Sequence, residues 1–314
     1  MNRREILARW VGDYPVSRVC PMDFTRRLNV DFFLKRDDEL GWAGSKTRKY
    51  HSLVPFLKKF DAAVVVGSFY SNHVPALCSR LLEAGVRPTA FLHGSGPWVG
   101  NALLTRLFLP DEAIVCVPKS ESVYERAVEY AEKRRASGER VFVVPEGAKT
   151  PAAVSGAASL ALELPECEFL FVDSGSGTTA ASVVLALKFL LSPIKTFVVQ
   201  IAGDEPEFNR TIGAFYNYMA EKLDERFPPP VAGEDFFLLS APSKFGRVSD
   251  DDLRNTLYWA RGWGVLADPV YTTKFLSVVA QTIDDRRLFG RVVAVLSGGC
   301  GTIHGFSERI RKIW

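Results

Sequence analysis

Apolar positions along the 314-residue chain come in two patterns. Short unbroken runs rich in Val, Ile and Phe mark strands buried on both faces, and three- or four-residue recurrences mark helices with one apolar face. Strands are predicted over residues 30–35, 62–66, 89–92, 113–117, 140–144, 169–173, 195–201, 236–240, 265–270 and 291–296. Helices are predicted over 101–107, 120–137, 150–164, 178–191 and about 207–226, with others starting at Ser45, Ser71 and between the last strands. Strand and helix alternate, which implies mostly parallel sheets covered by helices. The strands are too many for one tidy sheet, so two α/β lobes with a cleft between them are expected. The expected division is 1–48 with 165–314 as the larger lobe and 49–164 as the smaller.

Three of the strands end in turns of small residues. Gly67 and Ser68 close the 62–66 strand, and Ser71-Asn72-His73 places three polar side chains where the turn meets a helix, with Ser71 as its cap. Such a helix start has free N–H groups that suit an anion, although polar caps also serve purely local structure. After the 169–173 strand comes Ser174-Gly175-Ser176-Gly177-Thr178. Its amides and hydroxyls can cradle a phosphate. Gly175, Gly177 and Ala180 also match the dinucleotide spacing, but Gln200 stands where that motif needs an acid at the end of the next strand. A phosphate cup is the better reading, and a plain tight turn the alternative. The third turn, Ser297-Gly298-Gly299, follows the 291–296 strand. Open α/β sheets bind ligands at such strand ends. One lysine is notable. Lys46 sits in the first turn of a helix with Ser45 as its expected cap, where the helix dipole disfavours its charge. It is either an exposed lysine or one destabilised enough to act as a neutral nucleophile.

Composition narrows the function. Charged residues are 24% of the chain and the net charge is +3, too small and too dispersed for a nucleic-acid partner. Five cysteines without a C-x-x-C spacing, and four histidines without metal spacing, give neither a disulfide framework nor a metal centre. The opening MNRREILARW lacks an apolar leader, and the apolar stretch 183–199 is broken by Lys188, Pro193 and Lys195, so neither a signal peptide nor a membrane span is expected. A cytoplasmic enzyme follows.

Five blocks, in order, carry a resemblance: LKRDDELGWAGSKTRKY, GSFYSNH, SGSGTTAA, ADPVYTTK and LSGG. The chain resembles the family that groups D-cysteine desulfhydrase with 1-aminocyclopropane-1-carboxylate deaminase, within the fold-type II, tryptophan-synthase-like pyridoxal 5'-phosphate enzymes. The resemblance implies that Lys46 carries the cofactor and later moves the Cα proton, and that Ser174, Gly175, Ser176, Gly177 and Thr178 hold its phosphate. It implies further that Asn72 bonds the ring hydroxyl, and that Ser71 and His73 hold the carboxylate of a small amino-acid substrate. Tyr271 would stand over the reacting carbon, and Ser297 would meet the pyridine nitrogen. A homodimer is expected on the same ground.

The chain departs from the family pattern at Ser45, where Asn is usual, at Ala43 and at Thr273. Thr272 stands where the deaminases usually carry Glu and the desulfhydrases Thr. With hydroxyls alone at the pyridine nitrogen the ring would be a weaker electron sink, which suits β-elimination more than cyclopropane opening. The expected activity is a lyase converting D-cysteine to pyruvate, ammonia and sulfide. The alternatives are the cyclopropane deaminase, a lyase for D-serine, β-chloroalanine or cysteate, a cofactor-binding protein without turnover, or a nicotinamide oxidoreductase. Cys300, beside the last turn, reads as a buried inert thiol.

Overall fold

The computed structural model describes residues 1–22, 30–241, 243 and 245–314. The side chain of Cys300, expected to be a buried thiol, lies outside the described residues. In chain order the described strands are β1 (Val19–Pro21), β2 (Val30–Lys35), β3 (Ala62–Ser68), β4 (Arg87–His93), β5 (Ile114–Val117), β6 (Val141–Val144), β7 (Phe169–Ser174), β8 (Lys195–Gln200), β9 (Phe236–Ser240) and β10 (Gly290–Val295). They form two sheets, ordered β1-β2-β10-β7-β8-β9 and β5-β4-β3-β6. The short β1 pairs antiparallel to β2, and every other described pairing is parallel.

Alternate residues of each strand serve opposite layers, as the pleat requires. Leu170, Val172, Val198 and Val293 pack under the helices Thr178–Phe189 and Glu205–Leu223. Phe171, Phe197, Val199 and Val292 pack under Asp250–Trp263 and Thr272–Asp285. With helices on both faces the strands have no wet side, which explains their unbroken apolar runs. In both sheets the chain order reverses at one point, between β3 and β6 and between β7 and β10. The C-terminal ends of strands at such a reversal leave a crevice between diverging connections. Ser71-Asn72-His73 follows β3, Ser174–Gly177 ends β7, and Ser297 follows β10.

Two predicted elements differ. Residues 265–270 are not a strand: Val265, Ala267 and Val270 are buried, but the stretch runs into a turn at Pro269 and Val270. Asp268 organises that turn, its carboxylate accepting from the amides of Val270 at 3.0 Å, Tyr271 at 2.9 Å and Thr272 at 3.2 Å. The apolar run signals burial, and periodicity alone cannot separate a buried loop from a strand. The helix predicted over 150–164 is three pieces, Pro151–Ala153, Val154–Ala158 and Ser159–Leu162, the outer two being tight 3-10 turns. At Gly156 any β-carbon would run into the backbone carbonyl of Arg48, so the helix Lys46–Leu57 crosses there at closest range.

That crossing carries a buried ionic network. Arg48 is fully buried; its Nε donates to Asp37 Oδ2 at 2.6 Å and its Nη2 to Asp37 Oδ1 at 2.6 Å. A further Arg48 nitrogen pairs with Glu163 and donates to Ser159 Oγ at 3.2 Å, while Lys35 Nζ reaches Glu163 at 2.6 Å. The helix bearing Lys46 is thereby tied to the end of β2 and to the 159–162 turn. Among the described residues no helix is long and apolar enough to cross a membrane.

Candidate active site

The crevice at the strand ends is a cavity of about 230 Å³. Lys46, Ser71, Asn72, His73, the loop from Ser174 to Thr178, Tyr271 and Ser297 all line it. The sequence-predicted residues, from separate strand ends, meet in one place.

Lys46 is the first residue of its helix, seated by a bond from the Ser45 amide to the Ser297 carbonyl at 2.7 Å. Ser45 occupies the cap position in a helical conformation and makes no side-chain cap bond, so the expected cap is absent. Burial pushes the Lys46 ammonium below its ordinary range, against the attraction of Asp173 and Asp268. Desolvation of the charged form outweighs that attraction.

Gly177 has φ +83°, a left-handed conformation that costs glycine little, and it sits at the cap of the helix Thr178–Phe189. Among the described residues the amides of Ser176 and Gly177 have no acceptor, and no side chain caps the helix. Two hydroxyls and an ammonium converge beside them on the Gly147 carbonyl: Thr178 Oγ1 at 3.2 Å, Ser176 Oγ at 3.4 Å and Lys49 Nζ at 2.8 Å. Burial, then the Lys46 charge, pulls Lys49 down to about 7, with Asp173 opposing. Unpartnered amides at a helix start, hydroxyls and a titratable ammonium fit a phosphate monoester. Pyridoxal phosphate requires this cup and a lysine that can lose its proton within one cavity, and the residues present meet both requirements.

Across the cavity, the helix His73–Glu83 starts one residue later than a Ser71 cap would place it; Asn72 takes the cap position without a cap bond. Ser71 Oγ accepts from the His73 amide at 3.1 Å. Asn72 Oδ1 accepts from Asn101 Nδ2 at 2.5 Å and Thr302 Oγ1 at 3.0 Å, which fixes the amide's orientation and leaves its own NH₂ as the donor end. His73 Nδ1 lies 2.7 Å from the Tyr50 hydroxyl, and its buried Nε2 has no partner among the described residues. Burial, then Lys49 and Lys46, holds the imidazole pKa well below its usual range, so the ring is neutral.

Tyr271 precedes the helix Thr272–Asp285 and is aimed by the Asp268 turn. Its ring packs edge-on to Phe245, with centroids 5.5 Å apart, and faces the Gly175 backbone. Burial, then Asp268, Glu146 and Asp173, raises the phenol pKa, so the hydroxyl keeps its proton.

Two expectations about the nitrogen end change. Thr272 does not line the cavity; it is buried and its hydroxyl donates to Asp268 Oδ2 at 2.8 Å. Ser297 does line it, but its hydroxyl donates to Asp173 Oδ2 at 3.0 Å, so a carboxylate stands where hydroxyls alone were expected. Asp173, Lys49, Tyr50 and Gly147 were not singled out from sequence. Lys49 lies one helical turn after Lys46 and Asp173 directly precedes the phosphate loop, so helix and strand register carried a usable signal for both.

Comparison with known proteins bears on the family and the fold. The family model "Pyridoxal-phosphate dependent enzyme" matches residues 14–308. A Pyrococcus horikoshii protein provisionally named 1-aminocyclopropane-1-carboxylate deaminase is 26% identical, over 90% of this chain and 89% of its own. A Klebsiella pneumoniae D-cysteine desulfhydrase is 25% identical, over 92% of this chain and 94% of its own. The crystal structure of an ACC deaminase homologue superposes with a TM-score of 0.85 at 20% identity, covering 98% of this chain and 99% of that one. A family match over almost the whole chain identifies the protein as a member of the pyridoxal-phosphate dependent enzyme family.

Proposed function

We propose that the protein is a lyase acting on a small β-substituted amino acid, with D-cysteine as its first substrate. The reaction takes D-cysteine and water to pyruvate, ammonia and hydrogen sulfide. The observation that carries this reading is the meeting, in one cavity, of a lysine whose charged form is disfavoured by burial and a tyrosine that keeps its proton. Bound pyridoxal phosphate supplies a carbonyl for the substrate amine and a ring that withdraws electrons from Cα. The chain does the rest. Lys46 Nζ, once neutral, takes the proton from Cα. Ser71 Oγ and His73 Nε2 present polar groups to the substrate carboxylate. Tyr271, which keeps its proton, would donate a hydrogen bond to the departing sulfur, and Asn72, whose Oδ1 is engaged by Asn101 and Thr302, would offer its NH₂ to the cofactor's ring oxygen.

Asp173 favours a second reading, the cyclopropane deaminase, because a carboxylate near the ring nitrogen would strengthen the electron sink that ring opening needs. A panel of D-cysteine, D-serine and 1-aminocyclopropane-1-carboxylate with the cofactor-loaded protein separates the two. Pyruvate with sulfide should form faster than 2-oxobutyrate. The reverse order replaces the first reading with the second, and no product from any of the three refutes both.

A further inference from the structure

The bond between Ser297 and Asp173 fixes where one proton is. A serine hydroxyl has a single hydrogen and two acceptor lone pairs. Ser297 Oγ gives its hydrogen to Asp173 Oδ2 at 3.0 Å, so only lone pairs are left to face the cavity. Both residues stand at C-terminal ends of neighbouring parallel strands, β7 and β10, so the sheet register holds them together. Burial raises the Asp173 pKa, against the attraction of Lys46 and the Ser297 hydrogen bond, with Asp268 adding to the rise. Asp268 is committed to three amides and the Thr272 hydroxyl and does not line the cavity; of the carboxylates that do, Glu146, Glu207 and Asp173, it is Asp173 that bonds Ser297.

We infer that Asp173 acts through Ser297 as a positioning residue that makes the nitrogen end of the cavity a pure acceptor, and so retains the proton on the cofactor's pyridine nitrogen. This rests on the reading of Ser297 as the residue that meets that nitrogen. An unbacked serine can turn its hydrogen to an unprotonated nitrogen; a serine whose hydrogen is engaged by a carboxylate can only accept, and an acceptor pairs with N–H. A ring that keeps this proton withdraws more charge from Cα. The chain would then process substrates with poor leaving groups, such as the hydroxyl of D-serine, better than a site with hydroxyls alone.

The test loads the stripped protein with pyridoxal phosphate carrying ¹⁵N in the ring and reads the nitrogen resonance by solid-state NMR at neutral pH, where the protonated and bare forms are well separated. Wild type should give the protonated signal. Asp173→Ala should give the bare one, because Ser297 regains its hydrogen for the ring. Asp173→Asn, which keeps the shape and loses the charge, should move in the same direction. Asp173→Ala should also raise the preference for D-cysteine over D-serine by roughly tenfold or more, the scale of one charge-assisted hydrogen bond. A bare nitrogen in wild type overturns the inference whatever the variants do, and so does a protonated nitrogen in both variants. If the protein fails to take up the cofactor, or borohydride labels no Lys46 peptide, it is the cofactor reading that falls, an outcome separate from either of these.

Discussion

Lys49 gives the sharpest quantitative prediction. Its ammonium is buried 2.8 Å from the Gly147 carbonyl, on which Thr178 and Ser176 also converge, so it stands within reach of an anion in the cup. Lys49→Met keeps the apolar stem in its slot and deletes the charge. A hydrogen bond to a charged group contributes about 1.5–3 kcal/mol, which corresponds to a roughly 10- to 150-fold weaker complex. The pH dependence follows from the position of the pKa. The Lys49 pKa lies at about 7, and a phosphate beside it can only raise that value. Its contribution to affinity is therefore fully present below pH 7 and is lost as pH rises above it. Pyridoxine 5'-phosphate is the suitable probe because it lacks the aldehyde that engages Lys46. Titrating wild type and variant with this probe from acidic to alkaline pH should show a large ratio of dissociation constants at low pH that shrinks above neutrality. An equal affinity at low pH, or a ratio that grows with pH, refutes the placement of Lys49 at the phosphate. On folding the same shift acts with the opposite sign. The unfolded chain binds this proton up to about 10.5 and the folded one only to about 7, so stability should rise with pH across that window in wild type and less so in the variant.

Three further outcomes are expected. Lys46→Ala should retain the cofactor through its phosphate contacts while turnover falls to background, and borohydride reduction of loaded wild type should label the Lys46 peptide, read by mass spectrometry. Gly177→Val forces a branched side chain into φ +83°, with Phe208 Cδ2 3.3 Å from the new β-carbon, so cofactor affinity should fall far more than the melting temperature. Arg48→Met leaves Asp37 buried without its cation, a loss of about 3–5 kcal/mol, and should lower Tm by roughly 5–8 °C in calorimetry.

The architecture was legible because strands covered on both faces must be apolar throughout, and nine of the ten predicted runs do fall in described strands. The run at 265–270 misled because its burial comes from a loop that Asp268 pins by its amides, a tertiary fact that no period records. The 150–164 helix misled because its break answers Arg48, more than a hundred residues away in sequence. At the site, Lys46, the Ser71-Asn72-His73 start and the phosphate loop stood out through local chemistry at strand ends. Asp173 and Tyr50 did not, since each acquires its role from a partner on another element, Ser297 and His73. Thr272 shows the converse: its sequence neighbour Tyr271 reaches the cavity, but one step of helix turns Thr272 away towards Asp268.

The network around Arg48 has a thermal consequence. Lys46 and Lys49 leave their helix towards the cavity, whereas Arg48 leaves it on another side into Asp37 and Glu163. The ion cluster thus sets the rotation of the helix about its own axis, and with it the direction in which both lysines point. The cost of removing charges from water falls on heating, because ionic hydration carries a strongly unfavourable entropy, while apolar burial gains little more per unit area. Warming therefore shifts the balance of forces holding this helix from its apolar face to its ionic one, and the aim of Lys46 is secured by the contact that weakens least as temperature rises.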